Sequence, residues 1–177
     1  MRAIGGAGNG AAAGDLVADA LKGAIAGAVG VWALDKVTWA MWDRTDPQKL
    51  RQEEQRARPQ GMDPAHVIAN RAAEALGTEL TPKQPHPAGI AVHYGIGVFP
   101  AAAYGALRHR LPVLTAGGGM LFGLGLFLLQ DEGLNPILGT SGGPTEYPPE
   151  AHLRGLVGHL VFGATMHASL KLLDQVM

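Results

Sequence analysis

Cysteine is absent from this 177-residue chain. That excludes a disulfide framework, a thiolate metal site and a cysteine nucleophile, and it leaves the redox compartment unread. Charge is scarce too: Asp, Glu, Lys and Arg make up 16% of the residues, against about 25% in ordinary soluble domains. With a formal net charge of -1, the chain lacks the basic surplus of a general nucleic-acid binder, so no nucleic-acid partner is expected. Glycine, by contrast, is abundant at 26 residues. A mean hydropathy of only +0.09 understates the apolar character, because residues 43–88 hold seven of the 14 Lys and Arg.

Outside that stretch lie four apolar segments, at residues 21–42, 88–107, 111–130 and 153–173. Each has roughly 20 residues, which at about 1.5 Å per residue matches a hydrocarbon core of about 30 Å. Buried helices of soluble proteins are usually shorter and carry a polar face. The expected fold is therefore all-α: an integral membrane four-helix bundle whose first partner is the lipid bilayer. A secretory signal is the competing reading of the first segment, but Arg2 is offset by Asp15 and Asp19 and no small-x-small cleavage site follows. Residues 1–20 read as a flexible Gly/Ala-rich tail. Its glycines have no βαβ context, so they do not form a dinucleotide fingerprint.

Residues 43–87 read as a polar helical insert between spans one and two. Asp46-Pro47 opens a helix that stops near Arg58-Pro59, and Asp63-Pro64 opens a second that Gly77 closes. Ile68, Ala72, Ala75 and Leu76 line one side of this second helix, a face for the bundle mouth or the membrane surface. Pro82, Pro85 and Pro87 then lead into the second span. The loop after the third span, Asp131 to Ala151, has four acids and no Lys or Arg, whereas the link between spans two and three holds Arg108, His109 and Arg110. These two loops place the termini in the cytoplasm; the seven basic residues of the insert argue the other way.

Lipid tails give helices no hydrophobic reason to associate, so small residues and interhelical hydrogen bonds must do so. The first span has Gly23 and Gly27, and the third has Gly119 and Gly123. Two further columns spaced by four combine glycine with imidazole: His93, Gly97, Ala101, Gly105, and Gly155, His159, Gly163, His167. The expectation is that these two columns face each other. Pro100 should kink the second span and free a backbone carbonyl in mid-membrane.

Ionisable residues inside a span are packing glue or a working site. His93, His159, His167 and Asp35 form the candidate intramembrane polar site, with Asp131, Glu132 and His152 as secondary candidates. His159 and His167 lie about 12 Å apart on one helix, too far to share a metal. A haem or divalent metal would need His93 and His159 together. The simpler reading has each imidazole donating to a carbonyl or hydroxyl nearby, such as Thr38 or Thr165. Asp35 and Lys36 read first as residues near a span end, in an aromatic belt with Trp39 and Trp42; the sharper reading turns Asp35 inward as partner of an imidazole. Asp131 and Glu132 read as solvated loop acids that, if turned towards His152 and His159, would make a proton-accessible chain. Ser141 and Ser169 lack a nucleophile-elbow context. No catalytic constellation is found, and no enzymatic activity is expected.

Three short stretches resemble the YagU-like family of uncharacterised bacterial inner-membrane proteins: His93-Tyr94, Asp131-Glu-Gly-Leu-Asn-Pro136 and Gly158-His-Leu-Val161. The order of spans and the polar insert are similar as well, over residues 20–173. The resemblance implies a multi-pass protein of the bacterial inner membrane without an established catalytic mechanism, and His93 and His159 fall on its motif positions. The function expected is a non-enzymatic membrane component whose buried histidines pack helices and sense or relay protons, with no cofactor. The alternatives are a haem- or metal-binding module using His93 and His159, and a small-solute or ion transporter acting as a homo-oligomer.

Overall fold

A computed structural model describes residues 7–45, 47–80 and 85–177, and among them there is no strand. Its α-helices are α1 (Ala7–Arg44), α2 (Pro47–Ala57), α3 (Pro64–Ala75), α4 (Pro87–Leu107), α5 (Met120–Leu126), α6 (Asn135–Ile137) and α7 (Pro149–Val176). A π-helical stretch, Phe127–Leu134, joins α5 to α6. Among the described residues, four segments are long and apolar enough to cross a membrane: Asp15–Arg44, Pro87–Leu107, Pro112–Ile137 and Pro149–Val176. The chain is a four-span all-α membrane bundle with a polar helical insert, α2 and α3, between its first two spans.

Local chemistry sets several helix ends. The Asp63 carboxylate accepts from the His66 amide ahead of Pro64, the first residue of α3. Gly77, at φ +73°, closes α3 in a left-handed turn; its amide donates to Glu74 O and that of Thr78 to Ala73 O, the Schellman pattern. At α4 the cap is an imidazole, with His86 Nδ1 accepting from the Gly89 amide at 3.0 Å. The N-cap expected at Asp46 and the Pro82 part of the proline run lie outside the described residues.

Three expectations change. The helix of the first span begins at Ala7, so from there on the supposed tail is helical, as its alanines favour; residues 1–6 lie outside the described residues. The third span is not one helix from Leu111 to Gln130. Gly117, Gly118 and Gly119 take φ of 60°, 64° and 87°, a left-handed run that strongly favours glycine, and the rod runs from Met120 through Leu134 to Ile137. The inward face of α3 is not Ile68, Ala72, Ala75 and Leu76: Leu76 is 83% exposed, while Ala65, His66, Ala69 and Asn70 are buried. Two polar side chains face inward because α3 docks on the start of α4 through hydrogen bonds rather than on lipid. His66 Nε2 accepts the His86 amide at 3.1 Å, and His86 Nε2–H donates to Asn70 Oδ1 at 3.1 Å.

The glycine columns also choose other partners than each other. Helix α1 packs on both α4 and α7, and α5 packs on α7. A Cβ on Gly23 would strike Ala101 O and Ala102 of α4, and one on Gly105 would strike Asp19 O and Gly23 of α1. Gly97, Ala101 and Gly105 thus line a seam with α1. The other column meets the third span: a Cβ on Gly163 would strike Gly119 O, and one on Gly123 would strike His159 O. Glycine spacing fixes where a helix can be approached but not by which neighbour, which is why the facing pair was misread. Between the seams sits a core of Val31, Tyr104, Leu126, Phe162, Met166 and Leu170.

Helix α4 runs through Pro100, which has no N–H to offer the Ile96 carbonyl four residues earlier. Gln130 Nε2 donates to that carbonyl at 3.3 Å, so the freed acceptor serves to tie α4 to the third span. We expect Gln130→Leu to lower stability in micelles by about 1 kcal/mol. Adding Pro100→Ala, which restores an amide within the helix, should recover most of that loss. Equilibrium unfolding of the two variants checks the pair, and an unchanged midpoint for Gln130→Leu alone would refute the role of this bond.

Candidate functional site

Six ionisable side chains meet in the half of the bundle nearest the insert. Asp35 lies nine residues before the end of α1 and His93 six residues into α4, and the seam brings them together: His93 Nε2 and Asp35 Oδ1 are 2.8 Å apart. The sharper reading of Asp35 is the one the structure adopts. Lys36 points elsewhere, its ammonium 5.9 Å from the centre of the Trp32 ring.

Asp131 and Glu132 are not loop acids. Both belong to the π-helical stretch, which carries the rod past Gln130 and turns the adjacent carboxylates towards α7. Glu132 Oε1 lies 2.6 Å from His152 Nδ1, and the other ring nitrogen of His152 is 2.9 Å from Pro144 O. A carbonyl only accepts, so Nε2 carries a proton and a second proton is shared between Nδ1 and the carboxylate. One α-helical stage deeper, Asp131 Oδ2 is 3.6 Å from His159 Nδ1. The hydrogen bond of that nitrogen runs to Gly155 O at 2.9 Å, so His159 does donate to a carbonyl, within its own helix.

Asp131 is the hub. Its carboxylate interacts electrostatically with His159, Glu132, His93 and His152, and His93 feels Asp35, Asp131 and Asp63 of the insert. The three pairs, drawn from α1, α4, the π-helical stretch and α7, are near enough to feel one another's charge. His167 stands apart. Its Nδ1 is 2.6 Å from the Tyr104 hydroxyl, and Phe162 and Met166, both buried, lie between it and His159 along α7. Among the described residues, no three His, Asp or Glu side chains converge so as to hold a metal.

Several polar contacts were not foreseen from sequence. At the far end of the bundle, Arg108 folds inward and its Nη2 meets Asp174 at 2.8 and 2.9 Å and Asp19 at 3.3 Å, tying α4 to α7 and α1. At the insert, the buried Glu54 accepts from both Arg58 and Arg154. The visible signals were an Arg beginning the short link and an acid between basic residues in α2, both of which read as solvated charge. Outside the spans, burial raises the Tyr147 phenol above its ordinary pKa, and its hydroxyl donates to Ala57 O at 3.3 Å.

These features define a class: a multi-pass α-helical membrane protein with a carboxylate–imidazole cluster inside one half of its bundle. Residues 70–168 match the family described as Protein of unknown function (DUF1440), and the chain belongs to that family. No curated protein and no solved structure matches it. The matched segment includes His93, Asp131, Glu132, His152 and His159, but Asp35 lies before it.

For the Asp35–His93 contact we expect a double-mutant cycle of Asp35→Asn and His93→Gln to give a coupling of about 0.5–3 kcal/mol, the range of directly bonded neighbours. The cycle of Asp35→Asn with His167→Gln should give none. Thermal unfolding in micelles measures both, and equal coupling in the two cycles would contradict the pairing.

Proposed function

We propose that this protein is a non-enzymatic, YagU-like component of the bacterial inner membrane that binds and releases protons through its intramembrane cluster. One observation supports the reading: three carboxylate–imidazole pairs, at 2.8, 2.6 and 3.6 Å, lie in the same half of the bundle, and each joins two different transmembrane segments. Only imidazole has an unperturbed pKa near neutrality, so each pair changes charge where it also holds two helices. A change in proximal pH then alters helix contacts directly. Glu132–His152 sits at the mouth, Asp131–His159 about 10 Å further along α7, and the Phe162–Met166 layer closes the path beyond. Access from one side only suits a sensor better than a conduit.

The basic link Arg108–Arg110 argues for cytoplasmic termini, which puts the insert and the mouth of the cluster on the opposite surface. A transporter would draw on an open acceptor in a broken second span, and Gln130 occupies the carbonyl that Pro100 frees. Haem or metal ligation by His93 and His159 competes with the carboxylate and carbonyl those imidazoles already hold.

The groups facing the cluster are Asp35, His93, Asp63, Asp131, Glu132, Tyr147, His152 and His159. With histidine-labelled protein in micelles, Asp131→Asn should move the NMR titration midpoints of His93 and His152 together and leave that of His167 in place. If these two imidazoles titrate independently of residue 131, the proposal fails. A Soret band or stoichiometric metal in the purified protein would instead establish the binding alternative.

A further inference from the structure

A second polar assembly lies where α1 leaves the membrane and α7 enters it. Trp42, two residues from the end of α1, has two guanidiniums against its ring: Arg51 at 5.0 Å and Arg154 at 4.9 Å from the ring centre. Arg154 also donates to Glu54, which Arg58 shares. Beside them a cavity of about 250 Å³ is lined by Met41, Arg44, Thr45, Glu150, Leu153 and Arg154.

Among the described residues, the charged side chains placed on Trp42, on Glu54 or in the cavity wall are four guanidiniums, of Arg44, Arg51, Arg58 and Arg154, and two carboxylates, of Glu54 and Glu150. Glu54 is 3% exposed and already takes two of the four. Arg51 Nε is buried without a hydrogen-bond partner, a costly state in a dry site. Arg44 uses one nitrogen on Ala40 O at 2.9 Å and is otherwise exposed at the cavity rim.

Depth and shape complete the argument. Arg44 is the last residue of one membrane-crossing helix and Glu150 the second of another, which sets the cavity at headgroup level. Its walls change character along the membrane normal. Arg44 sits at the rim, while Met41, Leu153, which is 55% exposed, and Arg154 lie about a turn deeper towards the hydrocarbon. A guanidinium fork fits phosphate oxygens with two parallel bonds, and basic pockets between transmembrane helices take lipid headgroups.

We propose that this cavity binds the phosphate headgroup of an anionic phospholipid from the surrounding leaflet. The diester lies between Arg44 and Arg154, and the acyl chains run down past Met41 and Leu153. Glu150 is the opposing charge at the rim and keeps the affinity moderate. The site is separate from the Asp131 cluster and does not depend on its titration.

Native mass spectrometry of the whole protein in neutral detergent tests this with three additives: phosphatidylglycerol, phosphatidylcholine and inorganic phosphate. Phosphatidylglycerol should be retained at least roughly tenfold more strongly than phosphatidylcholine, the weight of one charge-assisted hydrogen bond. Arg44→Gln, which spares the Glu54 contacts, should abolish most of that preference. Glu150→Gln should strengthen it, so that the proposal stays testable if the arginine variant folds poorly. Equal retention of the two lipids would overturn it, as would a preference unchanged in both variants. Equal occupancy by inorganic phosphate would mark a free-anion site and overturn the lipid assignment.

Discussion

Backbone contact at glycine is the constraint from which the rest of this bundle follows. In lipid, helices gain nothing from burying apolar faces against each other, and only close approach yields enough dispersion contact to hold them. Gly23 against Ala101 and Gly105, and Gly123 with Gly163 against their opposite numbers, leave no space for a Cβ at either seam. Helices so near settle their polar groups across the seam, because lipid offers those groups no partner. Asp35 then finds His93, and Glu132 finds His152, at hydrogen-bond distance. The same economy explains Gln130, which satisfies the acceptor that Pro100 leaves without its own amide.

What could be read in the chain beforehand was whatever depends on neighbours in sequence. Length and hydropathy identified four spans, Asp63-Pro64 and Gly77 bounded α3, and Pro100 marked the freed carbonyl. Partner choice was not readable in this way. Four glycine-bearing segments present similar surfaces, and nothing local says that Gly97 meets α1 while Gly163 meets the third span. Asp131 and Glu132 read first as loop acids, and only second as partners of His152 and His159, for a related reason. A π-helical turn has no composition of its own, so Asp131-Glu-Gly reads as the end of a helix, when it is the stretch that aims two carboxylates at α7. The buried face of α3 went astray because His66 and Asn70 look like solvent residues until His86 is seen to cap the next helix.

The two ends of the molecule handle charge differently. At the insert end, acids and imidazoles meet inside the span region and arginines gather at its rim around Trp42. At the other end a single inward arginine, Arg108, gathers Asp19 and Asp174, while the Lys22 ammonium lies 3.4 Å from the same Asp174. Between these ends the Phe162 and Met166 layer is apolar. The polar groups thus fall into separate compartments rather than one continuous wire, and each compartment faces its own surface.

The order of these partnerships along the chain has a consequence for how the protein enters the bilayer. Helix α1 seams with α4, and the third span seams with α7, so these two seams close between successive spans, while a third, of α1 with α7 at Gly30 and Gly158, joins the two pairs. Asp35 and His93 belong to the first hairpin; Asp131, Glu132, His152 and His159 all belong to the second. Each hairpin therefore carries its own counter-charges and enters the hydrocarbon already neutralised, before the other exists. Arg108 with Asp174, and Tyr104 with His167, are contacts between hairpins, formed only when both halves have arrived. Biogenesis of this bundle is then a modular affair: two self-balanced halves, emerging one after the other from the ribosome, and a late clasp that joins them.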